Sequence, residues 1–379
     1  MTVEFPRPDV DPGGLEEFSV VFTDRSLNSM SQAFQGIMRQ LSAGLKEVYR
    51  ASEVVIVPGG GTFGMEAVAR QFGAGTHALI VRNGWFSFRW TQIFDASGVA
   101  SATTVCKARQ TGNDSRLPFR PAPIEEVTAA IRTGKPGLVF APHVETSAGM
   151  ILPDDYITAL ADAAHDVGAL MVLDCIASGC CWVDMEATGV DILLSAPQKG
   201  WSSTPCAGLV MLSKRAALRM AETTSTSFAM DLAKWHAIMK AYEDGGHAYH
   251  ATMPTDGLRE FHKAFEETRA FGFDTAHAAQ VELGQKVRAM LAERGIASIA
   301  APEFAAPSVV VSYTDDPDFK SGKAFALTGT QVAAGVPLQV DEPADFQTFR
   351  IGLFGLDKLR DVDATVARLS AALDWATGG

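Results

Sequence analysis

Basic residues are in short supply: 32 Lys and Arg stand against 44 Asp and Glu, a formal net charge of -12. No Lys/Arg cluster interrupts that acidic balance, and nucleic acid or an anionic membrane requires such a patch, so neither is an expected partner. Cysteine is scarce too. The five (Cys106, Cys175, Cys180, Cys181, Cys206) are odd in number and lack the Cys-x-x-Cys or Cys/His spacing of a zinc site. No metal is expected, and a reducing, cytoplasmic setting is. No apolar run reaches membrane-spanning length, and Met1 leads into a Pro- and acid-rich segment, Phe5 to Pro12, without a basic start. Export and anchoring are therefore not expected. Internal repeats and low-complexity tracts are absent.

What is present is apolar sequence in quantity. With 379 residues and 47% hydrophobic content, the chain can bury a full core and divide into a large and a smaller domain. From about residue 28 to 250, β-rich apolar runs alternate with amphipathic stretches, the pattern of a parallel sheet flanked by helices. Strands are expected at Glu53–Pro58, Ala78–Val81, Leu138–Pro142, Ala169–Asp174 and Ile192–Ser195, with helices at Gly64–Phe72, Trp90–Ala96 and Ile157–Val167. Continuous apolar runs of this kind suit strands covered on both faces. Beyond Pro254 one long helical stretch, Leu258–Arg294, precedes a smaller α+β region with strands at Ser308–Ser312 and Phe349–Gly352. The expected division is an N-terminal segment 1–27, an α/β domain 28–255 and a C-terminal domain 256–379.

Two charged residues close apolar strands: Asp174 in Met171-Val-Leu-Asp-Cys175 and Lys199 in Leu194-Ser-Ala-Pro-Gln-Lys-Gly200. A lysine after a strand is by itself most often a solvated strand end. Small and constrained neighbours, Ser195, Ala196, Pro197 and Gly200, argue otherwise here, because an ammonium in a crowded site is costly and is kept where its chemistry is used. A lysine paired with a carboxylate suits pyridoxal phosphate: the amine forms a Schiff base with the aldehyde, and the acid keeps the pyridine nitrogen protonated. Gln198 is placed to hydrogen-bond the phenolic oxygen of that cofactor. The turn Pro58-Gly-Gly-Gly-Thr-Phe-Gly64 joins a strand to a helix and offers amides to a phosphate. It lacks both the Gly-Lys-Ser/Thr ending of a triphosphate loop and the frame of a dinucleotide fingerprint, so a monophosphate fits best. Arg82-Asn-Gly-Trp-Phe-Ser-Phe-Arg89 sets aromatics after a strand, where one can stack on a planar ring, although each alone reads more readily as core. His143 to Gly149 places polar groups at another strand end, where ligands of open parallel sheets bind.

With these residues in view, the sequence resembles the class V aminotransferases of pyridoxal-phosphate fold type I, and within them the alanine/serine–glyoxylate group. The resemblance spans most of the chain and implies a large domain with a mainly parallel, seven-stranded type of sheet plus a smaller C-terminal α+β domain. Lys199 matches the Schiff-base lysine, Gln198 the cofactor-contacting glutamine and Asp174 the partner of the pyridinium. Gly60, Gly61 and Thr62 match the phosphate turn, Phe86 the stacked aromatic and Thr146 a cofactor-contacting hydroxyl. Arg350, in Phe349-Arg-Ile-Gly352, matches the arginine that binds the substrate carboxylate, a task for a planar two-donor group. Tyr249 and Thr252 match residues that reach the phosphate in the neighbouring subunit, which implies a homodimer with sites at its interface. The implied activity moves an amino group from a small amino acid, alanine- or serine-like, to a 2-oxo acid such as glyoxylate or pyruvate in two half-reactions. Three stretches depart from the family pattern: Asp9 to Leu15, Thr23 to Ser26, and Thr255-Asp256-Gly257.

Lyase chemistry on the same cofactor, desulfuration or decarboxylation included, is the alternative enzyme reading. A desulfurase needs a nucleophilic cysteine late in the chain and none follows Cys206; such enzymes also tend to carry histidine where Gln198 stands. A non-catalytic module that kept the fold is the third reading, and the joint presence of Lys199, Asp174 and Arg350 speaks against it.

Overall fold

The computed structural model describes residues 10–378 apart from 12, 13, 111, 113 and 115. Of the N-terminal segment 1–27, residues 1–9 therefore lie outside the described residues, as do Asp9, Pro12 and Gly13 of the first departing stretch. Seven strands form the main sheet: β1 (Glu53–Pro58), β2 (His77–Arg82), β3 (Ala102–Lys107), β4 (Leu138–Pro142), β5 (Leu170–Asp174), β6 (Ile192–Ser195) and β7 (Ala207–Leu212). Their spatial order is β1-β7-β6-β5-β4-β2-β3. Pairings from β6 to β3 are parallel, whereas β7 runs antiparallel to both β1 and β6. The apolar runs of β4, β5 and β7 are buried along their whole length, as helices on both faces require.

The principal helices around the sheet are α1 (Gln32–Tyr49), α2 (Gly61–Phe72), α3 (Trp85–Ser97), α4 (Ile124–Gly134), α5 (Asp154–Asp166) and α6 (Leu232–Glu243). Ser31 starts α1 by accepting the Phe34 amide at 3.1 Å, and the left-handed residue Arg50 ends it. α2 lies so close to β7 that a Cβ on Gly208 would sit 2.7 Å from the Gly64 nitrogen and 2.9 Å from the Gly60 oxygen. Only glycine permits that approach.

α7 (Thr255–Phe271) and α8 (Phe273–Glu293) follow. The single helix expected over Leu258–Arg294 is thus two, because Gly272 between them takes φ +95°, outside the helical region. Phe261 and Phe265 of α7 belong to the apolar core under the main sheet, while Ala276, Leu283 and Val287 of α8 belong to a second core. That second core is completed by β8 (Val309–Tyr313) and β10 (Thr348–Gly352), which with β9 (Ala333–Ala334) form an antiparallel sheet in the order β8-β10-β9, and by α9 (Val362–Ala376). Asp256, the charged residue where apolar ones are common, accepts the Leu27 amide at 3.4 Å and pairs with Arg259 at 3.3 Å. It therefore ties the N-terminal segment to α7.

The two helices that flank the site also begin earlier than the sequence suggests. α2 starts at Gly61, inside the glycine turn, and α3 at Trp85, so the aromatics after β2 form the first helical turn rather than a loop. Strands β3 and β7 are additional to those expected. Among the described residues, no helix is long and apolar enough to cross a membrane.

Candidate active site

A cavity of about 160 Å³ opens at the C-terminal ends of the parallel strands. Gly61, Thr62, Phe86, Thr146, Asp174, Gln198 and Lys199 line it, so seven of the eleven residues singled out in the sequence meet in one space. Gly60 sits next to them as the residue preceding α2. A sheet edge with parallel strands collects ligands at this end because every chain exits there towards a helix N-terminus.

Asp174 is the last residue of β5, and its Oδ1 accepts the Ile176 amide at 3.0 Å. Burial pushes its carboxyl up to about 6; Glu145 adds to the rise, and the Ile176 amide, Arg89 and Lys199 oppose it. Lys199 follows β6 by a short turn in which the Ser202 amide donates to the Lys199 carbonyl at 3.0 Å. Burial draws its ammonium below the ordinary range, the charge of Arg350 adds to this, and Asp174 works against it. Its Nζ lies 5.2 Å from the centre of the Phe354 ring. Among the described residues, the buried side-chain oxygen of Gln198 has no hydrogen-bond partner, a costly state that a donor on a ligand in the cavity would relieve.

Arg350, on β10, is not a wall of the cavity but borders it: its guanidinium carbon is 5.6 Å from the centre of the Phe86 ring. Its Nε donates to the Ala334 carbonyl at 2.8 Å, which leaves the two-nitrogen end of the fork free of that bond. Tyr249 and Thr252 are apart from the cavity. Tyr249 is 63% exposed, and its hydroxyl meets Thr252 Oγ1 at 3.4 Å on the loop between α6 and α7.

Several residues at the site escaped the sequence reading. Arg89 lines the cavity, donates from Nη1 to Thr62 Oγ1 at 3.0 Å and lies over the Phe86 ring at 5.1 Å. Its spacing of three from Phe86 was the available signal, once both are placed on one helix. Met65, Val144, Ile176 and Ala177 complete the lining. His143 is buried, its Nδ1 2.7 Å from Ser178 Oγ, and burial lowers its pKa to about 4, so it is a neutral structural imidazole beneath the site.

The family model for "Aminotransferase class-V" matches residues 18–318. The chain belongs to the class V aminotransferase family. Family membership and relatives named as transaminases support amino-group transfer to a keto acid and disfavour the lyase reading. It is 28% identical over 362 residues to 2-aminoethylphosphonate–pyruvate transaminase 2 of Paraburkholderia xenovorans (strain LB400), covering 92% of this chain and 91% of that protein. It is 26% identical over 346 residues to the soluble hydrogenase small subunit of Synechococcus sp. (strain PCC 6716), covering 90% and 86%. The crystal structure of alanine–glyoxylate aminotransferase from Nostoc sp. superposes with a TM-score of 0.76 at 22% identity, covering 91% of this chain and 87% of that one, and so shares its fold.

Proposed function

We propose that this aminotransferase holds pyridoxal 5'-phosphate on Lys199 and moves the amino group of a small amino acid, alanine- or serine-like, to a 2-oxo acid such as glyoxylate or pyruvate. The observation that carries the reading is the meeting of Lys199 with Asp174 in one cavity whose walls also bring Thr62, Phe86, Thr146 and Gln198. The residues fit the cofactor. The first amides of α2, at Gly61 and Thr62, have no carbonyl one turn back and suit a phosphate, and the Gln198 oxygen, without a partner among the described residues, marks a separate polar edge that a hydrogen-bond donor would satisfy. The cofactor supplies an electron-accepting ring and a carbonyl that exchanges with an amine.

The chain's own groups do the rest. Asp174, ionised above about pH 6, would keep the ring nitrogen of the cofactor protonated, and Phe86, from the same cavity wall, would stack on its planar ring. The free fork of Arg350 binds the donor carboxylate and aims the α-carbon at Lys199. Lys199, its Nζ freed when the donor amine takes its place and its ammonium disfavoured by burial, would take the α-proton of the donor in one half-reaction and return a proton to the α-carbon of the acceptor in the other. Tyr249 and Thr252, set away from their own cavity, complete the phosphate site of a second copy, and the protein works as a homodimer. Five thiols, none of them paired, accord with a reducing cytoplasm.

Lys199→Ala tests the assignment. The wild type should show a visible cofactor band and should form a 2-oxo acid from alanine or serine only when an acceptor such as glyoxylate is added. The variant should lose both the band and turnover. Full activity in the variant, or product formation without acceptor, overturns the reading.

A further inference from the structure

Five consecutive backbone amides at the start of α3 converge on one carboxylate from a different strand end. The Ser87 amide donates to Glu145 Oε2 at 2.9 Å and the Phe86 amide to Oε1 at 3.2 Å. The Trp85 amide donates to Ser147 Oγ at 2.9 Å, and that hydroxyl donates to Glu145 Oε1 at 2.7 Å. The Asn83 and Gly84 amides both donate to Ser87 Oγ, at 2.9 and 3.1 Å, and this hydroxyl lies 2.7 Å from Glu145 Oε2. Glu145 also accepts the Ser147 amide at 3.1 Å and is fully buried. Gly84 makes the approach feasible: a Cβ there would fall 2.1 Å from Ser147 Oγ and 2.8 Å from Glu145 Cγ.

A buried carboxylate that makes no ion pair among the described residues is expensive unless donors and a helix N-terminus answer its charge, and here both do, with a longer-range attraction from Arg350. This expense is placed at one turn of one helix. That turn carries Phe86, which lines the cavity, and Arg89, which reaches Thr62. We propose that Glu145 is a positioning residue, whose carboxylate, with Ser147 and Ser87 as hydroxyl relays, fixes the first turn of α3 so that Phe86 and Arg89 face the space between Lys199 and the phosphate turn. The role of Phe86 rests on the pyridoxal phosphate reading above; the clamp itself does not.

Glu145→Gln keeps the size and removes one acceptor, turning an amide NH2 towards backbone N–H groups. Hydrogen exchange on the cofactor-free protein reads the clamp directly. The amides of 85–87 should exchange at least ~10-fold faster in the variant, with the amides of β4 and β5 unchanged. On the cofactor-loaded protein, the visible circular dichroism of the bound cofactor should weaken and kcat should fall more than KM rises. Ser147→Ala, which leaves the carboxylate in place, should speed exchange at Trp85 alone and serves if Glu145→Gln does not fold. Unchanged exchange at 85–87 in Glu145→Gln, or at Trp85 in Ser147→Ala, overturns the clamp. Faster exchange with an unchanged cofactor signal and an unchanged kcat overturns the positioning role while leaving cofactor binding intact. A wild type that takes up no cofactor defeats the functional reading, and with it the positioning role, even if the exchange pattern upholds the clamp.

Discussion

Leu194 and Asp174 are partners across the parallel strands β6 and β5. The chain that leaves β6 towards Lys199 therefore starts beside the carboxylate that closes β5. Their proximity is a property of sheet register, and a slip by one residue would turn each side chain to the other face.

Asp174 makes stability depend on pH in an unusual direction. Its carboxyl titrates at about 6 when folded against an ordinary 3.8. The native state therefore holds a proton that the unfolded chain has released, and stability is lost as pH rises through that window. Cofactor-free Asp174→Asn should exceed the wild type in stability above pH 6, by up to about 3 kcal/mol, and should match it below the lower value. Denaturant midpoints across pH measure this. With cofactor and substrates the same variant should be slower by about 10²-fold or more.

His143 should act in the opposite sense. Burial holds it at about 4 rather than 6.5, so on acidification the unfolded chain takes up a proton that the native state refuses. Stability from this group is present above pH 6.5 and lost as pH falls towards 4. His143→Asn, which keeps a polar partner for Ser178, should flatten the acid limb of a Tm-against-pH curve.

Arg350→Lys replaces a planar fork by a point charge. One charge-assisted hydrogen bond lost corresponds to about 1.5–3 kcal/mol, or roughly 10- to 100-fold in kcat/KM for a carboxylate-bearing donor. The visible cofactor band should persist, since Arg350 lies outside the cavity wall. Steady-state kinetics alongside an absorbance spectrum separate the two effects.

Gly208→Ala places a methyl group against the backbone of Gly64 and Gly60. Overpacking against main chain that has no rotamer to yield should cost about 1–3 kcal/mol and shift α2 off the sheet. Thermal unfolding should show the loss, and inorganic phosphate should compete less well with cofactor uptake because the α2 amides have moved.

Much of this was legible from local pattern. Strands Glu53–Pro58, Leu138–Pro142 and Ile192–Ser195 occupy the residues that their apolar runs mark, and seven of the candidate residues share a cavity because parallel strands deliver their ends to one edge. What was not legible is set by contacts distant in sequence. At the start of α3 the Phe86 and Ser87 amides are answered by Glu145, some sixty residues on, and the local signal is confined to Ser87, whose hydroxyl accepts the Asn83 and Gly84 amides. Arg89 was missed for the same reason. Strand β3 has exposed and half-buried residues throughout, without the apolar run that marks its neighbours. The break at Gly272 is a single backbone angle inside an otherwise helical pattern.

The reversed direction of β7 has a metric consequence. Because β7 runs against β1, its first residue, Ala207, pairs with the last of β1, Pro58, and the Cys206 carbonyl receives the Gly59 amide at 2.9 Å. The loop that leaves Lys199 is therefore fastened at its far end to the base of the glycine turn, and midway Ser202 Oγ accepts the Leu356 amide at 2.7 Å, just beyond Arg350. A loop of seven residues, 200–206, thus acts as a gauge block between amine, phosphate turn and carboxylate anchor. Inserting or deleting a residue there should alter all three spacings at once.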